Sequence, residues 1–160
     1  MRLTSGKKGD TFMQAPIIAV KKLRENAVLP TYGSAYAAGA DLYAAIEQEI
    51  CIMPNETKLV PTGLAMEIPF GYGGFIYARS GLASKRGLAP ANKVGVVDAD
   101  YRGEVMVALH NHSAIPQTVA VGERIAQLVI APFLKVVYAE QDELSETVRG
   151  VGGFGSTGTK

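Results

Sequence analysis

The sequence predicts a single all-β domain, either a sandwich or a barrel, followed by a flexible glycine-rich arm at the C-terminus. Short runs of β-forming residues recur along the chain, and prolines and glycines occupy the gaps between them. This spacing favours antiparallel strands over alternating strands and helices. The chain has 160 residues, of which 48% are hydrophobic, so it suffices for one domain with its own core.

The strand prediction depends on β-rich segments bounded by turn residues. In one of them, Val105, Val107 and Leu109 alternate with residues of the opposite face, as in a strand with one buried side. Residues 81–87 predict a brief helical turn, which is too short to be stable alone. The predicted strands cover residues 17–20, 48–53, 57–61, 64–68, 74–79, 93–97, 104–109, 117–121, 124–132 and 135–139.

Charge and composition narrow the possible partners. The net charge is +1 and no run of five like charges occurs, so the chain has no field suited to a nucleic acid polymer. We therefore expect a mononucleotide if the partner is a nucleotide at all. No apolar run reaches the roughly 18 residues of a membrane span, so we expect no membrane partner. The one cysteine, Cys51, excludes an internal disulfide and favours the cytoplasm or another reducing compartment.

The segment 149–158, RGVGGFGSTG, combines glycines with one arginine, one aromatic side chain and two hydroxyls. Glycines let backbone N–H groups approach an anion, Arg149 can donate two hydrogen bonds to a phosphate, and Phe154 can stack on a base. We interpret the segment as a mobile lid over a nucleotide. The alternative is a frayed terminal linker.

The densest cluster of polar residues in the interior of the sequence is NKVGVVDADYRGE at 92–104. In an extended segment Asp98 and Asp100 would project to the same side, about 6.6 Å apart. That separation would suit an inverting glycosidase, but the chain has no tryptophan and no evident aromatic platform for a sugar. The two acids could also cap a turn beside Gly103.

Two further segments place polar groups at the end of, or inside, apolar strands. Arg79 ends a predicted strand, and Ser80 and Gly81 follow it. If a short helix starts here, its N-terminus, Ser80 and the neighbouring Arg79 can bind an anion; a simple Ser N-cap is the alternative. Gln127 lies among small and aliphatic residues. A buried amide there must either cross-link strands or face a ligand.

The pair His110 and His112 would share one face of a strand and could form half of a metal site. No third ligand is identifiable nearby. A solvated strand end beside Asn111 is therefore the favoured interpretation.

Taken in order, five segments of the chain resemble the five motifs of the trimeric deoxyuridine triphosphate pyrophosphatases, the dUTPases. Each segment alone is a weak signal, but five in sequence make the resemblance specific over nearly the whole chain. The five segments are AGADLYA at 38–44, ARSGLA at 78–83, GVVDADYRGE at 95–104, GERIAQL at 122–128 and RGVGGFGSTG at 149–158.

The resemblance implies a distorted jelly-roll protomer, a homotrimer, and active sites that each combine motifs of more than one subunit. The family hydrolyses dUTP to dUMP and diphosphate by attack of water at the α-phosphate, with a divalent metal, usually Mg²⁺, chelated by the triphosphate. Such an enzyme removes dUTP from the nucleotide pool and supplies dUMP for dTMP synthesis. The chain would then consist of an N-terminal extension (1–16), a β domain (17–148) and a nucleotide-closing arm (149–160).

The resemblance also implies roles for individual residues of the third motif and its hairpin. Asp98 matches the catalytic carboxylate that activates the attacking water, and Asp100 a supporting acid. Tyr101 matches the residue that packs under the deoxyribose. Asn92 and Val97 lie on the hairpin that reads the uracil, Asn92 with its side chain.

Other motifs match the groups that bind the phosphates and the metal. Asp41 matches the acid associated with the water shell of the metal, so its contact with Mg²⁺ would be indirect. Phosphate-contacting positions match Arg79, Ser80, Gly81 and Gln127. The closing arm, in which the aromatic covers the uracil and the other residues meet the γ-phosphate, matches Arg149, Phe154, Gly155, Ser156 and Thr157.

Two other functions are compatible with such a fold. The dCTP deaminases share the fold and the trimer, but their second motif normally continues with a further arginine and they lack this complete arm. A catalytically silent binding module is disfavoured by the intact Asp98 and Phe154.

Overall fold

A computed structural model of the chain describes residues 15–153. Within this range the backbone forms twelve β-strands and one α-helix, α1 (Ser80–Arg86), which lies between β7 and β8. The strands are β1 (Ala19–Lys22), β2 (Thr31–Tyr32), β3 (Ala40–Tyr43), β4 (Ile50–Ile52), β5 (Thr57–Pro61), β6 (Leu64–Glu67), β7 (Tyr72–Tyr77), β8 (Leu88–Pro90), β9 (Gly95–Val97), β10 (Met106–Asn111), β11 (Gln117–Val119) and β12 (Arg124–Pro132).

The strands pair in an antiparallel manner and form four small sheets. The largest sheet has the order β2-β3-β12-β7-β9, and a second has the order β5-β10-β8. Strand β1 pairs with β6, and β11 pairs with β4. Their inner faces enclose one apolar core, in which Leu42, Leu64 and Leu109 are fully buried. The prediction of an all-β fold is confirmed.

The alternation predicted for β10 is present. Val105, Val107 and Leu109 are at most 2% exposed, whereas Met106 is 43% exposed. Side chains alternate across a strand, so β10 turns one face to the core and the other outward.

Four segments differ from the prediction. Residues 31–32, 40–43 and 88–90 form strands that are not among the predicted ones. Residues 135–139 were predicted as a strand, but they form no ladder and their side chains are exposed. Because a strand needs a hydrogen-bonded neighbour, high β-propensity alone does not create one.

Helix α1 follows β7 directly and positions several predicted site residues. Its N-cap is Arg79, in an extended conformation and without a side-chain cap, so the predicted alternative of a Ser80 N-cap is wrong. The helix ends at Gly87, whose φ of 66° is left-handed, and the N–H of Gly87 bonds back to the helix. A Cβ at this position would lie 2.9 Å from the backbone nitrogen of Ser113, so the helix end needs a glycine.

Within residues 15–153, no helix is long and apolar enough to span a membrane. Cys51 is a free, exposed thiol on β4.

Candidate active site

A buried carboxylate at the centre of β3 collects two arginines and one amide. Asp41 is 3% exposed. Its Oδ1 accepts hydrogen bonds from Nε of Arg79 at 2.9 Å and from Nε2 of Gln127 at 3.4 Å, and its Oδ2 accepts one from Nη1 of Arg124 at 3.1 Å. We call these four residues the arginine cluster.

Strand register explains how residues distant in sequence meet at this point. Gln127 on β12 lies opposite Asp41 on β3 and opposite Tyr77 on β7, so the three residues form one row across the sheet. Arg79 lies two residues beyond Tyr77. Arg124 begins β12, where the pairing with β3 shifts between Arg124 and Ala126. Such a bulge redirects side chains.

The cluster is electropositive. A carboxylate that loses its water must be paired, and here two guanidinium groups pair with one carboxylate. Among residues 15–153 no second carboxylate pairs with either arginine, so the cluster carries a net positive charge beside the half-buried amide of Gln127. Gln127 thus cross-links β12 and β3, which is the first of the two alternatives given for it; that it faces a ligand stays a prediction. Such an arrangement of donors suits a phosphate group.

The second half of the site is the loop at 98–104, which we call the aspartate loop. Residues 99–100 form a turn, so the extended geometry considered for Asp98 and Asp100 is wrong, and the glycosidase alternative loses its basis. The N–H of Tyr101 donates to the carbonyl of Asp98 at 3.1 Å. Both carboxylates are exposed. Asp98 borders an open cleft of about 1110 Å³ together with Phe70 and Phe133.

The ring of Tyr101 is fixed from two sides. Its hydroxyl donates to the backbone carbonyl of Glu104 at 3.0 Å. The ring packs so closely on Gly103 that a Cβ there would overlap it. Gly103 is therefore required for the placement of Tyr101.

An ion pair anchors the far end of the loop. Arg24 donates to Glu104 from Nε at 3.0 Å and from Nη2 at 3.3 Å, and the N–H of Gly63 donates to the same carboxylate at 2.8 Å. The hydrogen bond from Arg24 holds the pKa of Glu104 below its ordinary value, and the pair raises the pKa of Arg24.

The β8–β9 turn carries Asn92 beside Lys93, whose φ is +65°. The Nδ2 of Asn92 would lie 3.2 Å from a Cβ at Gly95, so the glycine gives the amide room. The side chain of Val97 is 8% exposed, so only its backbone can face a ligand. Strand β9 is the edge of its sheet among the described residues, and an edge strand offers free N–H and C=O groups.

The strand register keeps these two halves apart within the chain. Val97 pairs with Gly74, whereas Gln127 pairs with Tyr77, so Asp98 and Gln127 differ by about four strand positions. This corresponds to about 13 Å along the strands, in addition to two strand spacings of about 4.8 Å each. Continued one residue beyond Val97, the alternation of β9 would turn Asp98 toward the same outer face of the sheet as Gln127.

Several predicted residues lie outside these halves. Ser80 and Gly81 are exposed at the start of α1, and a Cβ at Gly81 would meet nothing within 4 Å. Nε of Arg149 donates to the carbonyl of Gly152 at 2.7 Å in the turn that starts the arm. The remaining arm residues, Phe154, Gly155, Ser156 and Thr157, lie outside the described residues, as do residues 1–14 of the predicted extension.

The histidine pair stands at the end of β10 and beside it. The rings of His110 and His112 meet edge-to-face at 4.3 Å, and Nδ1 of His110 lies 2.8 Å from Oγ1 of Thr57. In the described part of the chain, no three His, Cys, Asp or Glu residues are grouped as a metal site. Burial lowers the pKa of His112, and His110 and Lys93 lower it further.

Arg124 is the residue of the cluster that sequence reasoning missed. It lies in the segment GERIAQL, from which only Gln127 was selected. A buried aspartate such as Asp41 requires cationic partners, but its burial is visible only in the structure, so the sequence offered no local signal for Arg124. The alternation of side chains along β12 could not identify Arg124, because a bulge changes the register between Arg124 and Gln127.

Comparison with known proteins settles the family. The dUTPase family model matches residues 25–158. The chain belongs to the dUTPase family. It is 53% identical over 131 residues to a deoxyuridine 5'-triphosphate nucleotidohydrolase of Desulfitobacterium hafniense, covering 81% of this chain and 87% of that protein. It is 47% identical over 146 residues to one of Syntrophotalea carbinolica, covering 91% and 99%.

Solved dUTPase structures have the same fold. A variant of the Staphylococcus bacteriophage 80alpha dUTPase with dUpNHpp superposes with a TM-score of 0.77 at 28% identity, covering 90% of this chain and 99% of that one. A mutant dUTPase of the S. aureus phage phi11, studied for its coordination of a structural Mg(II) ion, gives 0.71 at 25% identity, covering 80% and 98%. The predicted jelly-roll fold and the predicted identity as a dUTP diphosphatase are confirmed.

Proposed function

We propose that this dUTPase cleaves dUTP in a site shared between subunits of a homotrimer, with phosphates on the arginine cluster and the water activated by Asp98. The observation that carries the proposal is the division of the predicted site into two halves on one face of a sheet. The cluster offers cationic donors without a free base, and the aspartate loop offers an exposed base. Hydrolysis of a triphosphate needs both.

The surface between the halves supports assembly. Phe75 lies opposite Val129 and Val96 in the sheet, and together they form an apolar strip on the outer face. Val96 is 65% exposed. A second subunit covering this strip would bring its own half-site next to the first. Because the two halves differ, the contact is heterologous, and heterologous contacts close into rings such as trimers.

The segment after β12 also favours association. Leu134, Val137 and Tyr138 are each at least 91% exposed. Such a concentration of exposed apolar side chains marks an interaction surface. Residues 135–139 have the composition of a β-strand, so they could pair with a strand of a neighbouring subunit.

In the proposed reaction, Asp98 accepts a proton from water as the water oxygen attacks the α-phosphorus. A new P–O bond forms, the bond between the α-phosphorus and the bridging oxygen breaks, and diphosphate leaves with the bond's electron pair. Arg79, Arg124 and Gln127 would stabilise the phosphate charges, aided by Ser80 and Gly81. Asp100 would support the loop.

The base and sugar would be read by the hairpin. The edge of β9 offers backbone groups near Val97, and Asn92 adds an amide, so cytosine would leave donors unmatched and thymine would clash through its methyl. The fixed ring of Tyr101 would pack under the deoxyribose and leave little room for a 2′-hydroxyl.

Mg²⁺ fits this site as an ion held mainly by the substrate. Both oxygens of Asp41 already accept hydrogen bonds from Arg79, Arg124 and Gln127. The carboxylate therefore suits contact with the water shell of the ion, and phosphate oxygens would supply direct ligands. When bound, the ion neutralises phosphate charge. The closing arm, from Arg149 through Phe154, Gly155, Ser156 and Thr157, would then cover the base and the γ-phosphate.

The site of attack is testable with H₂¹⁸O. We expect the label in dUMP and none in diphosphate, and no release of ammonia from dUTP or dCTP. Label in diphosphate would place the attack on the β-phosphorus and contradict the proposed geometry. The predicted domain limits and the reducing compartment remain proposals alongside this mechanism.

A further inference from the structure

Helix α1 is held at both ends by the same short piece of chain. At its start, Arg79 donates from Nη1 to the backbone carbonyl of Arg124 at 3.3 Å. At its end, Arg86 reaches the residues just before Arg124. Nε of Arg86 donates to Oε1 of Gln117 at 3.1 Å, Nη1 donates to the carboxylate of Glu123, and Nη2 donates to the carbonyl of Thr118.

Glu123 is itself fixed by the backbone around it. Its Oε2 accepts a hydrogen bond from the N–H of Ala120 at 2.9 Å, and its carbonyl accepts one from the N–H of Ala44 at 2.8 Å. Its side chain is 22% exposed and that of Arg86 is 30% exposed. The pair is therefore partly removed from water and constrained by several hydrogen bonds, unlike a mobile surface ion pair.

The location of the pair lets it influence the geometry of the arginine cluster. A seven-residue helix has little stability of its own, so tertiary contacts decide where it lies. Only Leu82 of α1 is buried in the core. Arg86 and Glu123 adjoin the two elements that carry Arg79 and Arg124, which are the two cations of the cluster.

We propose that Arg86 and Glu123 form a positioning pair that sets the distance between Arg79 and Arg124 and thereby the affinity for the triphosphate. The inference rests on the proposed function of the arginine cluster. Neither residue contacts the cluster carboxylate, so the pair acts through α1 and the turn before β12. Its effect belongs to phosphate binding and not to recognition of the nucleoside.

The test compares Arg86→Gln, Arg86→Lys and Glu123→Gln in the full-length protein. We expect the glutamine variants to bind an α,β-imido analogue of dUTP roughly 10- to 100-fold more weakly, because misplaced guanidinium groups would lose a charge-assisted hydrogen bond to phosphate, which is worth about that much. Arg86→Lys keeps the charge opposite Glu123 but loses the fork, so we expect an intermediate loss. Binding of deoxyuridine, which carries no phosphate, should change less than about twofold.

A matched control removes an ion pair on β5, which belongs to a different sheet from the arginine cluster. Lys58 lies 3.5 Å from Glu56 and donates to the carbonyl of Cys51 at 2.8 Å. Lys58→Gln should leave the affinity for both ligands unchanged. A merely structural role of Arg86 would lower the melting temperature and leave the ratio of the two affinities at its wild-type value, which would overturn the proposal.

The positioning role of Arg86 and Glu123 and phosphate binding by the arginine cluster can be tested separately. If Arg79→Gln leaves analogue binding unchanged, the assignment of phosphate binding to the cluster is wrong. If Arg79→Gln weakens binding but the Arg86 and Glu123 variants do not, only the positioning role is wrong.

Discussion

The arginine cluster and the aspartate loop lie on one face of the same sheet but are built differently. In the cluster, a carboxylate that is 3% exposed is fixed by three side-chain donors. In the aspartate loop, the two carboxylates are exposed, and backbone hydrogen bonds and the Tyr101 ring give the loop its shape. One half is rigid and cationic, and the other presents an accessible base.

In the proposed function, this difference assigns substrate binding to the arginine cluster and the chemical step to the aspartate loop. Preorganised cations lower the energy of a bound polyanion without reorganising, whereas a general base must reach solvent and then a water molecule. Substitutions in the cluster should therefore act on affinity and KM. Substitutions in the loop should act on kcat.

The largest effect is expected for Asp98→Asn. Because the substitution removes the base and keeps the size of the side chain, we expect normal folding and dUTP binding with kcat lower by about two to four orders of magnitude. Steady-state diphosphate release with a parallel binding assay measures both. Asp100→Asn is the matched control in the same turn and should lose far less; the reverse order would move the base to Asp100.

Truncation after Val148 removes the arm, which belongs to neither the arginine cluster nor the aspartate loop. We expect turnover to fall by about 10- to 100-fold, because the triphosphate stays hydrated and base stacking worth roughly 1–3 kcal/mol is lost. The melting temperature should hardly change, because residues 149–153 lie outside the core. Phe154→Ala should reproduce part of the loss. A truncated enzyme with full activity would reduce the segment to a frayed terminus.

Gly81→Ala tests whether phosphate closely approaches the backbone beside the arginine cluster. A methyl group there meets nothing within 4 Å in the protein, and alanine favours a helix over glycine by about 1 kcal/mol. Stability should rise slightly. If phosphate approaches this backbone, KM for dUTP should increase by roughly 10-fold, equivalent to about 1.4 kcal/mol. Unchanged KM would exclude close contact at Gly81.

The smallest expected effect is the dependence of the melting temperature on pH. Arg24 holds the pKa of Glu104 below its ordinary value, so the ionised carboxylate stabilises the folded state. This stabilisation is complete above the ordinary carboxyl pKa and is lost as the pH falls through the lowered one. We expect Arg24→Gln to melt at a lower temperature than wild type near neutral pH, with the gap closing on acidification. A gap that widens in acid would contradict the assigned sign.

The local sequence pattern was enough to predict β10, because apolar and other residues alternate there and Val107 and Leu109 face the core. It failed for β3, where Ala40 and Asp41 are poor strand formers and the strand exists because β2 and β12 pair with it. The partners of Asp41 lie 38 to 86 residues away. No local pattern contains that information.

The opposite failure occurred at residues 135–139, where β-branched residues predicted a strand that finds no partner in the protomer. The site residues themselves were named from motif resemblance, and the structure divides them into two groups that the sequence order does not reveal. Arg124 was missed because its role depends on a bulge and on burial of a distant carboxylate.

Subunit complementation tests the central claim, that each site joins the cluster of one subunit to the aspartate loop of another. Sedimentation equilibrium should first give three times the chain mass of 16.9 kDa. Asp98→Asn chains and Arg79→Gln chains are then co-expressed with different tags, the mixed trimers are purified, and turnover is measured at a dUTP concentration well below the raised KM of Arg79→Gln, where each variant alone is nearly inactive. Each mixed ring contains one junction with both intact halves. We predict that mixed trimers regain about one third of wild-type turnover per trimer. Mixed trimers as inactive as their parents would show that each site lies within one subunit and would contradict the account.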